Sequence, residues 1–203
     1  MYKNIIFDFG QVIAHFDPLY MTSRYINDKA DIDLVSEVVF DRLYWDRLDD
    51  GTITDDEVKT EICKRLPERL HLNAVKTYDN WYHNLPVIDG IAELIEDIKS
   101  KGLKLYLLSN ISIGFAENYH NNQQIKEILD LFDGLVFSGE LGIVKPEREI
   151  FKHITEKYNL KKEDSVFIDD NPLNINGAES FGIKGYLFDG DINKLREFLS
   201  IRS

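Results

Sequence analysis

Lys3-Asn4-Ile5-Ile6-Phe7-Asp8-Phe9-Gly10 is a short apolar run that closes on a glycine. Helices rarely stop so soon, so residues 3–9 read as a buried strand with an aspartate at its carboxyl end. The chain then changes character. Residues 16–84 hold no convincing strand. Leu34, Val35, Val38 and Val39 recur at helical spacing, and Thr54 with Glu57 forms a capping box that opens a helix to about Arg65. A further helical segment, 73–83, carries Val75, Tyr78, Trp81 and Tyr82.

Beyond Pro86, helix and strand alternate. Asp89 is placed to cap a helix bearing Ile91, Leu94, Ile95 and Ile98, which Gly102 ends. Strands are expected at 103–108, 135–137, 165–168 and 185–188. Between them fall helices at 113–131, from Pro146 to about Tyr158, at 175–181 and at 193–199. This rhythm predicts an α/β fold, a parallel sheet covered on both faces. The expected core is 1–15 with 85–203, and 16–84 is an inserted helical module. Ligands in such sheets bind beyond the carboxyl ends of the strands, so those ends are where function is read.

Composition sets the outer limits. The 203 residues fit one domain, or one with a large insertion. With 43% apolar and 30% charged residues, the chain has a globular rather than a disordered composition. No apolar run approaches the ~18 residues of a membrane span, and the amino terminus lacks the apolar stretch of a signal peptide. The net charge of −12 makes nucleic acid and anionic membranes poor partners, and any phosphate site needs its own cations. A lone cysteine, Cys63, suits packing in a reducing cytoplasm. No histidine pair has helical ligand spacing and there is no Cys-x-x-Cys, which argues against zinc. Gly-x-Ser-x-Gly is missing, and the Walker-like spacing of Gly134 and Gly139 is followed by Glu140 where lysine is needed.

The strand ends carry Asp8-Phe9-Gly10, Ser109-Asn110 and Asp169-Asp170-Asn171, with Lys145 just before Pro146. Singly, these are turn formers, caps or a solvated lysine. Yet Asp169 and Asp170 follow the buried Phe167-Ile168, and two carboxylates there are costly without a cation. In a parallel sheet Asp8, Asp169 and Asp170 gather at one edge. Their oxygens suit Mg²⁺, which also takes a substrate phosphate. Ser109 and the Asn110 N–H can donate to phosphate oxygens, and Lys145 supplies a positive charge. Nucleophile, metal site, donors and cation together are the parts for phosphoryl transfer.

The four segments Ile6-Phe7-Asp8-Phe9-Gly10, Leu108-Ser109-Asn110, Val144-Lys145-Pro146-Glu147 and Phe167-Ile168-Asp169-Asp170-Asn171 resemble the ordered motifs of the haloacid dehalogenase superfamily. The likeness runs over essentially the whole chain. Asn174 and Gly177-Ala178 further resemble the segment after motif four in its sugar-phosphatase-like and epoxide-hydrolase-N-domain-like members. Asp-Phe-Gly also occurs in protein kinases, but their Gly-rich loop and His-Arg-Asp are missing. The resemblance implies a Rossmann-like three-layer core, strand order 3-2-1-4-5, with 16–84 as a small α-helical cap. It implies Asp8 as a nucleophile forming an aspartyl-phosphate, and Mg²⁺ held by the Asp8 side chain, the Gly10 carbonyl and Asp170. Asp169 is then an additional or water-mediated ligand, Ser109 and Asn110 bind the phosphoryl group, and Lys145 neutralises it. A small phosphorylated metabolite, sugar phosphates included, is the implied substrate.

One position departs from the pattern. Most phosphatases of that superfamily carry a second aspartate two residues after the nucleophile, as the leaving-group acid; here it is Gly10. A substrate with a good leaving group, or a substitute among His15, Asp17, Asp46, Arg47 and Glu57, is the expected answer. Tyr44, Trp45, Trp81 and Tyr82 are expected either to line the substrate cavity or to form the helical module's own core. Two other readings stay open: a haloacid dehalogenase using Asp8 without metal, and a catalytically weak protein that binds metal and phosphate.

Overall fold

The computed structural model gives the fold for residues 2–201. Met1, Arg202 and Ser203, which the expected core limits include, lie outside the described residues. Strands β1 (Asn4–Phe7), β2 (Lys104–Ser109), β3 (Gly134–Phe137), β4 (Ser165–Asp169) and β5 (Lys184–Leu187) form one sheet in the order β3-β2-β1-β4-β5. Every pairing is parallel. Residues alternate between its faces. Ile5, Phe7, Leu105, Leu107, Val166 and Ile168 join one core cluster, and Ile6, Tyr106, Leu108, Val136 and Phe167 the other. Burial on both sides explains why these strands read as unbroken apolar runs.

Helices α1 (Pro18–Ser23), α2 (Lys29–Val39), α3 (Arg42–Asp49), α4 (Asp55–Arg65) and α5 (His71–Asp79) fill the segment after β1, which contains no strand. The Thr54–Glu57 capping box is formed at α4. After β1's long insertion come α6 (Ile91–Ser100), α7 (Ile113–Asn118), α8 (Gln123–Leu129), α9 (Arg148–Lys157), α10 (Pro172–Phe181) and α11 (Ile192–Phe198). Apolar residues of α6, α8 and α11 cover the Phe7 face; those of α9 and α10 cover the Ile6 face. This is the expected three-layer, Rossmann-like arrangement. Truncating a fully buried isoleucine or leucine here, such as Ile6 or Leu107, to alanine costs ~2–5 kcal/mol. Among the described residues no helix is long and apolar enough to cross a membrane.

Four local expectations change. Asp89 does not cap α6; Gly90 stands at the N-cap with φ 80°, a left-handed turn that glycine adopts without strain. The helix expected over 113–131 is broken between α7 and α8, where Asn122 accepts from Ile125 N instead of continuing the helix. Pro146 precedes α9, which starts at Arg148, and the Lys145–Pro146 peptide is cis. The helix expected from 175 begins at Pro172, because Asn171 caps it through Leu173 N and proline suits the first position.

Candidate active site

Strand register brings the carboxylates together. Phe7 pairs with Ile168 across β1 and β4, so the next residues, Asp8 and Asp169, stand side by side, and Asp8 N donates to Ile168 O at 2.8 Å. Alternation points both toward the Ile6 face, above Phe167. One carboxylate oxygen from each of Asp8, Asp169 and Asp170 lies within 4.8 Å of the others. Phe7 also pairs with Leu107, which puts Ser109 at the neighbouring end of β2.

Lys145 enters this cluster from the loop before α9. Its Nζ lies 2.7 Å from Asp8 Oδ1 and 2.7 Å from Asp169 Oδ2, and 5.2 Å from the centre of the Phe167 ring. All three ionisable residues are buried, with Lys145 4%, Asp8 8% and Asp169 0% exposed. Two contacts aim the lysine. Asn110 clasps its backbone, with Nδ2 donating to Lys145 O at 2.9 Å and Oδ1 accepting from Lys145 N at 2.7 Å. Gly177 of α10 lets the loop pack close, since a Cβ there would sit 2.8 Å from Pro146 Cβ and from Pro146 O.

The two neighbouring aspartates differ in their commitments. Asp169 accepts from Lys145, from Asn171 N at 2.8 Å and from Asn174 Nδ2 at 3.1 Å on each oxygen. Asp170 is exposed and lines the cavity that holds Asp8 and Lys145. Burial pushes the Asp8 carboxyl up to about 7, against the downward pull of Lys145. Burial also works against the Lys145 ammonium, but the two carboxylates outweigh it and hold its pKa above the ordinary value. Burial, and then the Asp169 charge, raises Asp170. The donor set of carboxylates and a backbone carbonyl is all oxygen, which fits a hard divalent cation.

The cavity, about 290 Å³, has Asp8, Gly10, Ser109, Asn110, Lys145 and Asp170 on its sheet side. Residues of the helical segment close it: Phe16, Phe40, Arg42, Trp45, Asp49 and Trp81. The expected aromatics divide. Trp45 and Trp81 line the cavity and also pack together at 5.0 Å, so lining and core are one surface. Tyr44 and Tyr82 do not line it; Tyr44 Oη takes a hydrogen bond from Arg65.

None of the substitutes expected for the residue at position 10 reaches this cavity. His15 faces a second opening beside Asp89 and Asp189, and Asp17 caps α1 through Tyr20 N. Asp46 pairs with Arg42, Arg47 donates to Thr52 O, and Glu57 closes the capping box. Sequence reasoning missed Asp49, which does line it. The only sequence signal was its place four residues after Trp45 and seven after Arg42, on one helix face.

Comparison with known proteins gives the family. A model of the haloacid dehalogenase-like hydrolases matches residues 2–182. A sesquiterpene phosphatase of Aspergillus oryzae is 25% identical over 91% of this chain and 88% of its own length. A D-ribitol-5-phosphate phosphatase of Bacteroides thetaiotaomicron is 26% identical over 92% and 91%. A HAD family enzyme of the same Bacteroides species, solved with magnesium and inorganic phosphate, superposes with a TM-score of 0.73 at 24% identity, covering 96% and 99%. With the strand order, the strand-end residues and a family match over nearly its full length, the chain belongs to the haloacid dehalogenase-like hydrolases.

Proposed function

We propose that the chain is a Mg²⁺-dependent phosphatase that hydrolyses a small phosphomonoester through an aspartyl-phosphate on Asp8. One observation carries this reading: three carboxylates converge at the sheet edge, with the Lys145 ammonium bridging two of them. The phosphatase names of the two sequence relatives support the reaction class. The acidic pair also weighs against a metal-independent dehalogenase, which needs no second carboxylate cluster.

The roles follow from the contacts. A bound Mg²⁺ would be held by the Asp8 side chain, the Gly10 carbonyl and Asp170, and would neutralise charge on the substrate phosphate. Asp169 is the positioning partner of Lys145, since its two oxygens are already taken by protein donors. Lys145 orients Asp8 and offsets phosphoryl charge. The Ser109 hydroxyl and the Asn110 N–H donate to phosphoryl oxygens, while the Asn110 side chain stays on the Lys145 backbone. We assign 1–15 with 85–203 as catalytic core and 16–84 as cap. The aromatic wall from the cap favours a leaving group with an apolar face.

The test is phosphate release from p-nitrophenyl phosphate with and without Mg²⁺, in wild type and Asp8→Asn. Turnover that needs the metal and disappears in the variant is expected. Halide release from haloacetate without metal would favour the dehalogenase instead. Metal and phosphate binding without turnover on a broad ester panel would favour a binding protein.

A further inference from the structure

The cavity contains one carboxyl group that the reading above leaves without a task. Of the aspartates lining it, Asp8 and Asp170 belong to the cation cluster, and Asp49 comes from the far end of α3, on the helical wall. Asp49 is partly buried, and among the described residues nothing donates a hydrogen bond or pairs with its carboxyl. Arg42, two turns earlier on the same helix face, pairs with Asp46 at 3.0 Å, and Arg47 donates to Thr52 O. The position is nonetheless fixed. Ser138 Oγ donates to Asp49 O at 2.5 Å, and Gly51 fits against Gly139, where a Cβ would meet Gly139 O at 2.8 Å. This backbone anchoring keeps Asp49 in the lining of the cavity that Asp8 and Lys145 share.

Two features favour the protonated form of that carboxyl. It sits in the last turn of a helix, where the dipole disfavours negative charge. Burial pushes it up to about 7; Arg42 and Lys145 oppose the rise, and Asp46 and Asp8 add to it. An acid with a pKa near the working pH is the group best suited to give a proton and take one back. Gly10, meanwhile, brings no side chain to the cavity.

We propose that Asp49 is the proton donor to the leaving group, the duty that Gly10 cannot perform; this rests on the phosphatase reading. As an Asp8 oxygen forms its bond to phosphorus, the bond from phosphorus to the ester oxygen breaks. The electron pair stays on that oxygen, which takes the Asp49 proton and departs as the alcohol. Asp49 is left as carboxylate. It then accepts a proton from the water whose oxygen attacks the aspartyl-phosphate; the bond from phosphorus to Asp8 breaks, phosphate leaves, and both aspartates return to their starting state.

First-turnover release of the leaving group, with Mg²⁺ present, tests this across substituted phenyl phosphates and one alkyl phosphate. Wild type should depend weakly on leaving-group basicity. Asp49→Asn, which keeps size but has no acidic proton, should lose far less in first-turnover release from p-nitrophenyl phosphate than from the alkyl ester. It should lose ~10²–10⁴-fold on the alkyl ester. Retained p-nitrophenyl phosphate activity also reports that the variant is folded. An equal loss on all esters, or no loss, overturns the role of Asp49. So does a steep dependence in wild type, which needs no variant. A wild type inactive on every ester overturns the phosphatase reading itself and is distinguishable from these.

Discussion

Replacing Lys145 by methionine isolates what the buried ammonium does. Methionine keeps the apolar stem over Phe167 and removes two contacts of 2.7 Å, to Asp8 and Asp169. Hydrogen bonds to charged groups contribute ~1.5–3 kcal/mol each, and removing one partner of a buried ion pair costs ~3–5 kcal/mol. The two estimates agree, so a loss of ~3–5 kcal/mol is expected, a fall in Tm of ~6–20 °C for a chain of this size. The pH dependence has a defined sign. Asp8 already titrates at about 7 in the folded protein, above its ordinary 3.8. A carboxyl raised on folding holds a proton that the unfolded chain has released, so its contribution is fully present at low pH and lost as pH rises through the folded pKa. Without the ammonium the folded value climbs further, and the variant keeps losing stability above pH 7, where wild type levels off. Urea unfolding in chelator at about pH 5.5 and about pH 8.5 should therefore show a larger gap between the proteins at the higher pH. A gap under ~1 kcal/mol, or one that does not widen with pH, would refute the reasoning.

Three further outcomes are expected. Asp133, at the opposite end of the sheet, accepts from Lys99, Lys104 and Leu105 N; these bonds overcome its burial and hold it down to about 2. Its stabilisation is present above the unfolded value near 4 and lost as pH falls toward 2, so Asp133→Asn should cost ~1–2 kcal/mol at neutral pH after solvent screening. Denaturation across that range measures the cost, and turnover should not change. Gly177→Ala forces a Cβ against Pro146 and should cost ~1–3 kcal/mol in denaturant, with a fall in kcat of up to ~10²-fold as Lys145 is displaced. Gly10→Asp meets no atom within 4 Å of its new Cβ, so it should fold normally; placed in the Asp49→Asn background, it should restore alkyl-ester turnover.

The legible part of the site was set by local pattern. Asp8, Ser109 and Asp169 stand where buried apolar runs end, and a parallel sheet aligns those ends. Lys145 was legible as a motif, but its aim was not, because that depends on the Asn110 clasp and the Gly177 contact between distant segments. Asn174 carried only a family likeness until its two bonds to Asp169 gave it a task. Asp49 lay among acidic neighbours at 46, 50, 55 and 56, and nothing local marked the one that the docking of α3 on Ser138 would turn inward. The fold followed the same rule. Apolar periodicity located every strand, while Gly90 took the cap expected of Asp89 and Asn171 started its helix ahead of the expected 175.

The inserted helices leave and rejoin the sheet through a narrow neck. Ala14 and Val87 form an antiparallel bridge, His15 N donates to Pro86 O at 2.8 Å, and Ile88 N donates to Ile13 O at 2.9 Å. A segment whose two ends are already stapled together can be exchanged without re-closing the chain, since its length adds little to the loop entropy. What an exchanged segment must preserve is the aromatic seam: Trp81 stacks on Phe115 of α7 at 5.5 Å, and Phe115 packs on Phe9 at 4.7 Å. The neck makes the insert portable and the seam sets the terms of the graft. One set of strand-end residues can therefore stand under different inserts, and any exchanged insert that lacks a carboxyl at the place of Asp49 would take the proposed proton donor with it.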